Sequence, residues 1–378
     1  MTFAYALFLA LFAAAAYLYR VYISATIILT PQPPQQKTEY TVTKEPDLPT
    51  AWLTSHSIFE LEKRALFSKT PLPLTLTPRL PSPGSYITLH PASLPVLVLR
   101  AKDASLRAFH NVCRHRAYPV VPPGRESGQS LVLRCRLGGV EGFEKKGNGL
   151  FGVRVWVERG VVWGWMGGDG DDEGEGGEGG EGGDVDMERM IWTGGKSLEG
   201  IFNWKTALRI QLLSDALGLC NPQEASVWEN ILGCFRQTRS AVFLFPSMFL
   251  FPVPGSRWLS LSIFPASERR TTLRYDLYCP DSNDNQLAQA LLVGFEGKMT
   301  RLVSLLEREY QDCTGNIPAL DPESLETQTR ILALLKSHSA AEKAIEREIY
   351  PVRRKAREGH GNARSLAAEK RMSLFQFV

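Results

Sequence analysis

The period of hydrophobic and polar positions changes several times along the chain, and each change marks a segment. The first 29 residues, MTFAYALFLALFAAAAYLYRVYISATIIL, are apolar or aromatic through Tyr19, interrupted by Arg20, and apolar again to Leu29. A bilayer core takes about 20 consecutive apolar residues, so the run predicts a membrane-spanning helix over 1–29. A cleaved leader is the competing reading, but no basic residue precedes the apolar run, and its apolar character continues past Ala13–Ala16. Arg20, Lys37 and Lys44 lie on the C-terminal flank, which by the positive-inside tendency places the body of the protein in the cytosol. Residues 30–50, TPQPPQQKTEYTVTKEPDLPT, are rich in proline and polar side chains and read as a linker.

From residue 51 the pattern is that of a folded body. SIFELEKRALFSK (57–69) has apolar residues at helical intervals, whereas SYITLHPASLPVLVLRAKDASLRAFHNVC reads as short strands broken by turns. LVLRCRL, GVRVWVERG and VVWGWM continue the strand pattern to residue 166, predicting an all-β module over 51–166. Residues 167–188 hold ten acidic residues and ten glycines, too few apolar groups to bury, so they read as a disordered loop and a boundary. Beyond it, IFNWKTALRIQLLSDALGLC predicts a helix. VFLFPSMFLFPVPGSRWLSLSIFPASERRTTLRYDLYC predicts three strands with turns at Pro252–Gly255 and Pro265–Arg269, and 285–310 and 325–349 predict amphipathic helices. Strands followed by helices give an α+β arrangement for 189–350.

Charge and cysteine content narrow the picture. The formal net charge is +3, and removing the ten acids of 167–188 leaves about +13 on the rest. That surplus is densest in the tail 351–378, where no aromatic residues interleave the basic ones through Arg371. The tail therefore reads as a solvated helical face, with no nucleic-acid partner. Six cysteines spread over 200 residues do not make a secreted disulfide framework. Reduced thiols or metal ligands are the expectation.

The candidate chemistry lies in NVCRHRAYPVVPPGRESGQSLVLRCRLGG (111–139), with Cys113, His115 and Cys135. A Rieske-type [2Fe–2S] cluster takes two thiolates on one iron and two imidazoles on the other; zinc could also use such donors. FHNVCRHRAYPVV strongly resembles the first cluster loop of the ring-hydroxylating, choline-monooxygenase-like Rieske oxygenases. SIFELEKRALFSK is similar to the family's N-terminal helix, NGLFGVRVWVERGVVWGWM to the closing strands of its Rieske domain, FNWK (202–205) to the entrance of its catalytic domain, and VFLFPSMFLFPVPGSRWLSLSIFPASERRTTLRYDLY to that domain's central sheet.

The resemblance implies a Rieske-like domain followed by a helix-grip-like catalytic domain. It further implies a [2Fe–2S] cluster held by Cys113, His115 and Cys135, a mononuclear Fe(II), an electron-donating reductase, O2 with a small substrate such as a quaternary amine, and a homotrimer. A degenerate membrane scaffold without metals is the alternative. The sequence departs from the family twice. The family's Tyr-His-Gly-Trp-like turn after the second cysteine is deleted: Cys135 is followed by Arg136, Leu137 and Gly138, and CRLGG runs directly into VEGFEKKGNGLF. No histidine occurs between His115 and His338, where the family places the two histidines of its 2-His-1-carboxylate iron site. His110 could stand in as a cluster ligand, although strand geometry is expected to turn it away. His338 and Glu342, four apart on a helix, read as a solvated surface pair, and Cys220 and Cys234 as buried small hydrophobes.

Overall fold

The computed structural model describes residues 48–49, 51–113, 118–122, 127–129, 150–167, 186–219, 241–280, 285–312 and 320–349. The apolar N-terminal run, most of the Gly/acidic run, LVLRCRL, Cys220, Cys234, Cys313 and the basic tail lie outside them.

SIFELEKRALFSK forms helix α1 (His56–Glu62), which Ser55 caps by accepting from the Ile58 amide. A single π turn, Lys63–Phe67, follows and is closed by the Ser68 amide on the Lys63 carbonyl at 3.1 Å. The extra residue in that turn brings Arg64, Ala65, Leu66 and Phe67 all to the buried side.

The first sheet contains β1 (Leu72–Leu76), β2 (Ser85–Leu89), β3 (Val96–Arg100), β4 (Leu106–His110), β5 (Ser127–Gln129), β6 (Gly152–Glu158) and β7 (Val161–Trp165), in the order β1-β7-β6-β4-β3-β2-β5. Every pairing is antiparallel. β1 and β2 are buried along their whole length and β3 along all but its last residue, which is why Val96–Leu99 is a continuous apolar run without alternation. Arg159 and Gly160 turn β6 into β7 with φ of 50° and 80°, a two-residue hairpin requiring left-handed backbone twice. A Cβ on Gly160 would stand 2.7 Å from the backbone of Met187 and Glu188.

The second sheet contains β8 (Ile191–Gly200), β9 (Val242–Leu244), β10 (Met248–Val253), β11 (Arg257–Pro265) and β12 (Thr271–Cys279), ordered β8-β12-β11-β10-β9 and again antiparallel. Where three strands are expected after residue 241 there are four, because a turn at Phe245–Ser247 divides the first into β9 and β10, which pair antiparallel. β8 is not announced by the sequence: IWTGGKSLEG contains three glycines and no alternation. It forms because β12 pairs with it over nine positions and helix α3 (Asn285–Asp312) lies along it. A Cβ on Gly194 would meet the Leu292 side chain, Lys196 pairs with Glu296, and Glu307 accepts from the Ile201 amide at 2.8 Å.

The segment expected to be one helix after FNWK is a tight turn at Trp204–Ala207 and then α2 (Ile210–Leu217). Gly218, at φ +63°, ends α2, and Lys298 Nζ donates to the Leu217 carbonyl at 2.7 Å. Helix α4 (Pro322–Ala344) starts where Asp321 accepts from the Ser324 amide and Pro322 takes the first turn.

A large core runs from Leu72, Leu74 and Val98 of the first sheet through Leu261, Leu273 and Leu277 of the second to Met299, Leu306, Ile331 and Leu335 of the long helices. A second cluster, with Leu76, Val161, Trp163, Met248, Leu250 and Trp258, packs β1 and β7 against β9–β12. The fold is α+β with antiparallel sheets, as expected. Among the described residues no helix is long and apolar enough to cross a membrane; the helix expected over 1–29 lies outside them.

Candidate functional site

The chain leaves β4 after His110 and enters the loop that carries Cys113. Two clamps close its base. The Asn111 side chain donates to the Val121 carbonyl at 3.0 Å and accepts from the Val121 amide at 2.9 Å, while the Cys113 amide donates to the Tyr118 carbonyl at 2.8 Å. Val121 packs with Tyr86, Leu97 and Leu99 in a small apolar cluster beneath the loop. Cys113 is itself buried. Of the three residues expected to bind a cluster the structure places Cys113; His115 and Cys135 lie outside the described residues. His110 ends β4 opposite Val96, and burial draws its imidazole below the ordinary range. Removing the side-chain amide as Asn111→Ala strips two bonds from a buried position, and unfolding experiments should show a loss of about 1–3 kcal/mol.

FNWK is a brace. Asn203 caps its own turn by accepting from the Lys205 amide at 3.1 Å, and its Nδ2 donates to the carbonyls of Leu53 and Glu268. Trp204 Nε1 donates to Glu62 Oε2 at 2.8 Å, and Lys205 Nζ is ion-paired with Glu62 Oε1. The ammonium sits 4.2 Å from the centre of the Trp52 ring. Trp52 Nε1 in turn donates to Gln328 Oε1, whose Nε2 returns to the Lys205 carbonyl at 3.0 Å. Burial lowers the Lys205 pKa, and Glu62 opposes the shift. Trp52, Glu62 and Gln328 were not legible as partners, since they lie up to 276 residues apart.

His338 is not on the surface. It is 5% exposed, and its Nε2 lies 3.1 Å from Glu342, which also accepts from Arg64 Nε at 2.8 Å and from the Ile349 amide at 2.9 Å. Arg64 reaches it because the π turn rotates that side chain inward. Burial draws the His338 pKa down, helped by Lys69 and Arg64 and opposed by Glu342. A histidine whose folded pKa is depressed binds fewer protons folded than unfolded, so stability is intact above the unfolded value of about 6.5 and is lost as pH falls below it. Thermal midpoints measured from pH 7 to pH 5 should fall, and His338→Gln should flatten that slope.

Among the described residues no group of three or more His, Cys, Asp or Glu is arranged to hold a metal ion. His56 is exposed on α1 beside Glu268, 3.1 Å away, His110 is in a strand, and His338 belongs to Glu342.

Two antiparallel sheets with this order, followed by two long helices, can be compared with known proteins. Over 76% of its length the chain superimposes on 95% of the quaternary ammonium Rieske monooxygenase CntA in complex with L-carnitine, with a TM-score of 0.56 and 18% identity. The fold is that of a Rieske oxygenase. A second Rieske oxygenase, the naphthalene 1,2-dioxygenase of a Rhodococcus species bound to indole, matches with a TM-score of 0.52 at 13% identity, covering 77% of this chain and 94% of that one. In sequence the chain is 29% identical over 122 residues to the carnitine monooxygenase oxygenase subunit of Acinetobacter baumannii, covering 28% of this chain and 33% of that protein. It is 34% identical over 88 residues to the glycine betaine monooxygenase oxygenase subunit of Pseudomonas aeruginosa, covering 23% and 20%. The matches thus span about a third or less of these curated relatives. No family model matches the chain. The resemblance carried by FHNVCRHRAYPVV is borne out, since the sequence relatives are monooxygenase oxygenase subunits and the fold relative is a Rieske monooxygenase.

A Rieske oxygenase implies a [2Fe–2S] cluster and a mononuclear iron. Cys113, buried at the base of a clamped loop, suits one cluster thiolate. The whole donor set does not fit: Cys135 is followed by Arg136, Leu137 and Gly138, and α2, which follows FNWK, is IQLLSDAL, without an imidazole.

Proposed function

We propose that the gene encoding this chain specifies the oxygenase subunit of a Rieske monooxygenase acting on a small quaternary ammonium compound, with electrons from a separate reductase and O2 as co-substrate. Support comes from the agreement of two independent comparisons: the sequence relatives are carnitine and glycine betaine monooxygenase subunits, and the fold relative is a quaternary ammonium monooxygenase bound to L-carnitine. That monooxygenase transfers electrons between subunits, and a homotrimer is the assembly proposed here.

In this reading 51–166 is the cluster domain, with Cys113, His115 and Cys135 as three of four ligands, and 189–350 is the catalytic domain. Residues 1–29 tether it to a membrane with its body in the cytosol. The 378-residue chain lacks the segments that would bear the second cluster histidine and the iron histidines. Both gaps fall on ligand-bearing segments while the family-like sheet sequences around them are kept, as expected of misplaced exon boundaries. A drifting sequence would more often keep the turn and change its ligands.

Sequencing the transcript across codons 138–140 and 205–226 tests this. A Tyr-His-Gly-Trp stretch and a His-x4-His helix are expected, and the restored protein with a reductase should consume O2 in the presence of carnitine or glycine betaine. A transcript matching the present chain at both places would refute the proposal.

A further inference from the structure

We propose that the 378-residue chain completes its fold without iron, because protein contacts close the two places where a Rieske oxygenase is expected to be tied by metal. The inference rests on the preceding reading that the ligand-bearing turns are missing from this chain. At the cluster loop, the incoming and outgoing arms are joined by the paired Asn111–Val121 hydrogen bonds and the Cys113–Tyr118 bond, and the outgoing arm is anchored by Val121 in its own apolar cluster. None of these contacts uses a thiolate or an imidazole.

At the catalytic entrance, Asn203, Trp204 and Lys205 are fixed by Glu62, Gln328 and the Leu53 and Glu268 carbonyls, drawing α1 and α4 onto the turn. The helix that follows points Leu213 and Leu217 into the main core and is ended by Gly218 and Lys298. Both polar atoms of the Asn111 side chain, both of Asn203, Trp204 Nε1 and the Lys205 ammonium have protein partners, which is the condition for such groups to be stable away from water.

A metal that binds only the folded state raises its stability by mass action, so the inference has a direct thermal readout. The full chain is prepared once from iron-limited cells and once after anaerobic treatment with ferrous ion and sulfide. Bound iron and acid-labile sulfide, visible circular dichroism and the thermal midpoint are then measured. The two preparations should unfold cooperatively at the same midpoint, with well below one iron per chain after desalting and no Rieske absorption.

Two irons and two sulfides per chain with a raised midpoint would overturn the inference, as would an iron-limited chain lacking a cooperative transition. Asn111→Ala should lower the midpoint equally in both preparations; if iron and sulfide erase that loss, the loop is held by metal and the inference is wrong. The restored transcript product, treated in parallel, should take up iron. If it fails to, the oxygenase proposal falls while the present inference stands.

Discussion

Lys205→Met is expected to destabilise the protein by about 3–5 kcal/mol, the usual consequence of leaving one member of a buried ion pair behind. Glu62 and Lys205 have side chains 0% and 1% exposed, so the stranded carboxylate has no water to turn to. Trp204 Nε1 would remain its one neutral donor. For a body of this size that corresponds to a fall in thermal midpoint of roughly 10 °C. Glu62→Gln in the same chain keeps an amide oxygen for Trp204 and removes the unpaired charge. The double variant should therefore be more stable than Lys205→Met alone, which a purely steric role for the lysine stem would not give. Equal stability of the single variant and the natural chain would show that the pair contributes nothing.

Much of the fold was legible in the sequence, and the reasons differ by element. The long helices and β11–β12 announced themselves because their apolar spacing reports a face packed on the core, as in Leu273, Tyr275 and Leu277. β8 was hidden because its place is given by its neighbours: β12 supplies the ladder and α3 the cover, while Gly194 and Gly195 erase the side-chain pattern. His338 was misread for a similar reason. An i, i+4 His–Glu pair looks solvated when only its own helix is considered, and the Arg64 that buries it arrives from 278 residues away through a π turn that no propensity signals. At the candidate site, the Cys113 loop was recognisable from its local motif. The clamp that Asn111 forms with Val121 was not, because asparagine in a loop has many local partners.

The junction of the two sheets holds the second large effect. On β12, Arg274 and Asp276 face away from Leu273, Tyr275 and Leu277. Asp276 accepts from Arg274 Nε at 2.8 Å and from Trp192 Nε1 at 2.8 Å, and lies 3.5 Å from Arg79 Nε, an ion contact longer than a good hydrogen bond. Arg79 arrives from the turn after β1, lies 3.6 Å over the Trp192 ring and donates to Ser127 Oγ of β5 at 3.1 Å, so one carboxylate joins both sheets. Burial, resisted by Asp276 and reinforced by Arg274, draws the Arg79 guanidinium down. Asp276→Ala would leave two buried guanidinium groups facing each other and is expected to cost about 3–5 kcal/mol in denaturant unfolding. Gly195, in register with Asp276, makes room for that carboxylate: a Cβ there would collide with Asp276 Oδ1 and with the Tyr275 carbonyl. Gly195→Ala should therefore also destabilise. The two changes should be less than additive in one chain, because removing the carboxylate relieves one of the two collisions. Strict additivity would mean that the strain at Gly195 comes from the Tyr275 backbone alone, and that the glycine serves the β8–β12 ladder and not the charge cluster that joins the sheets.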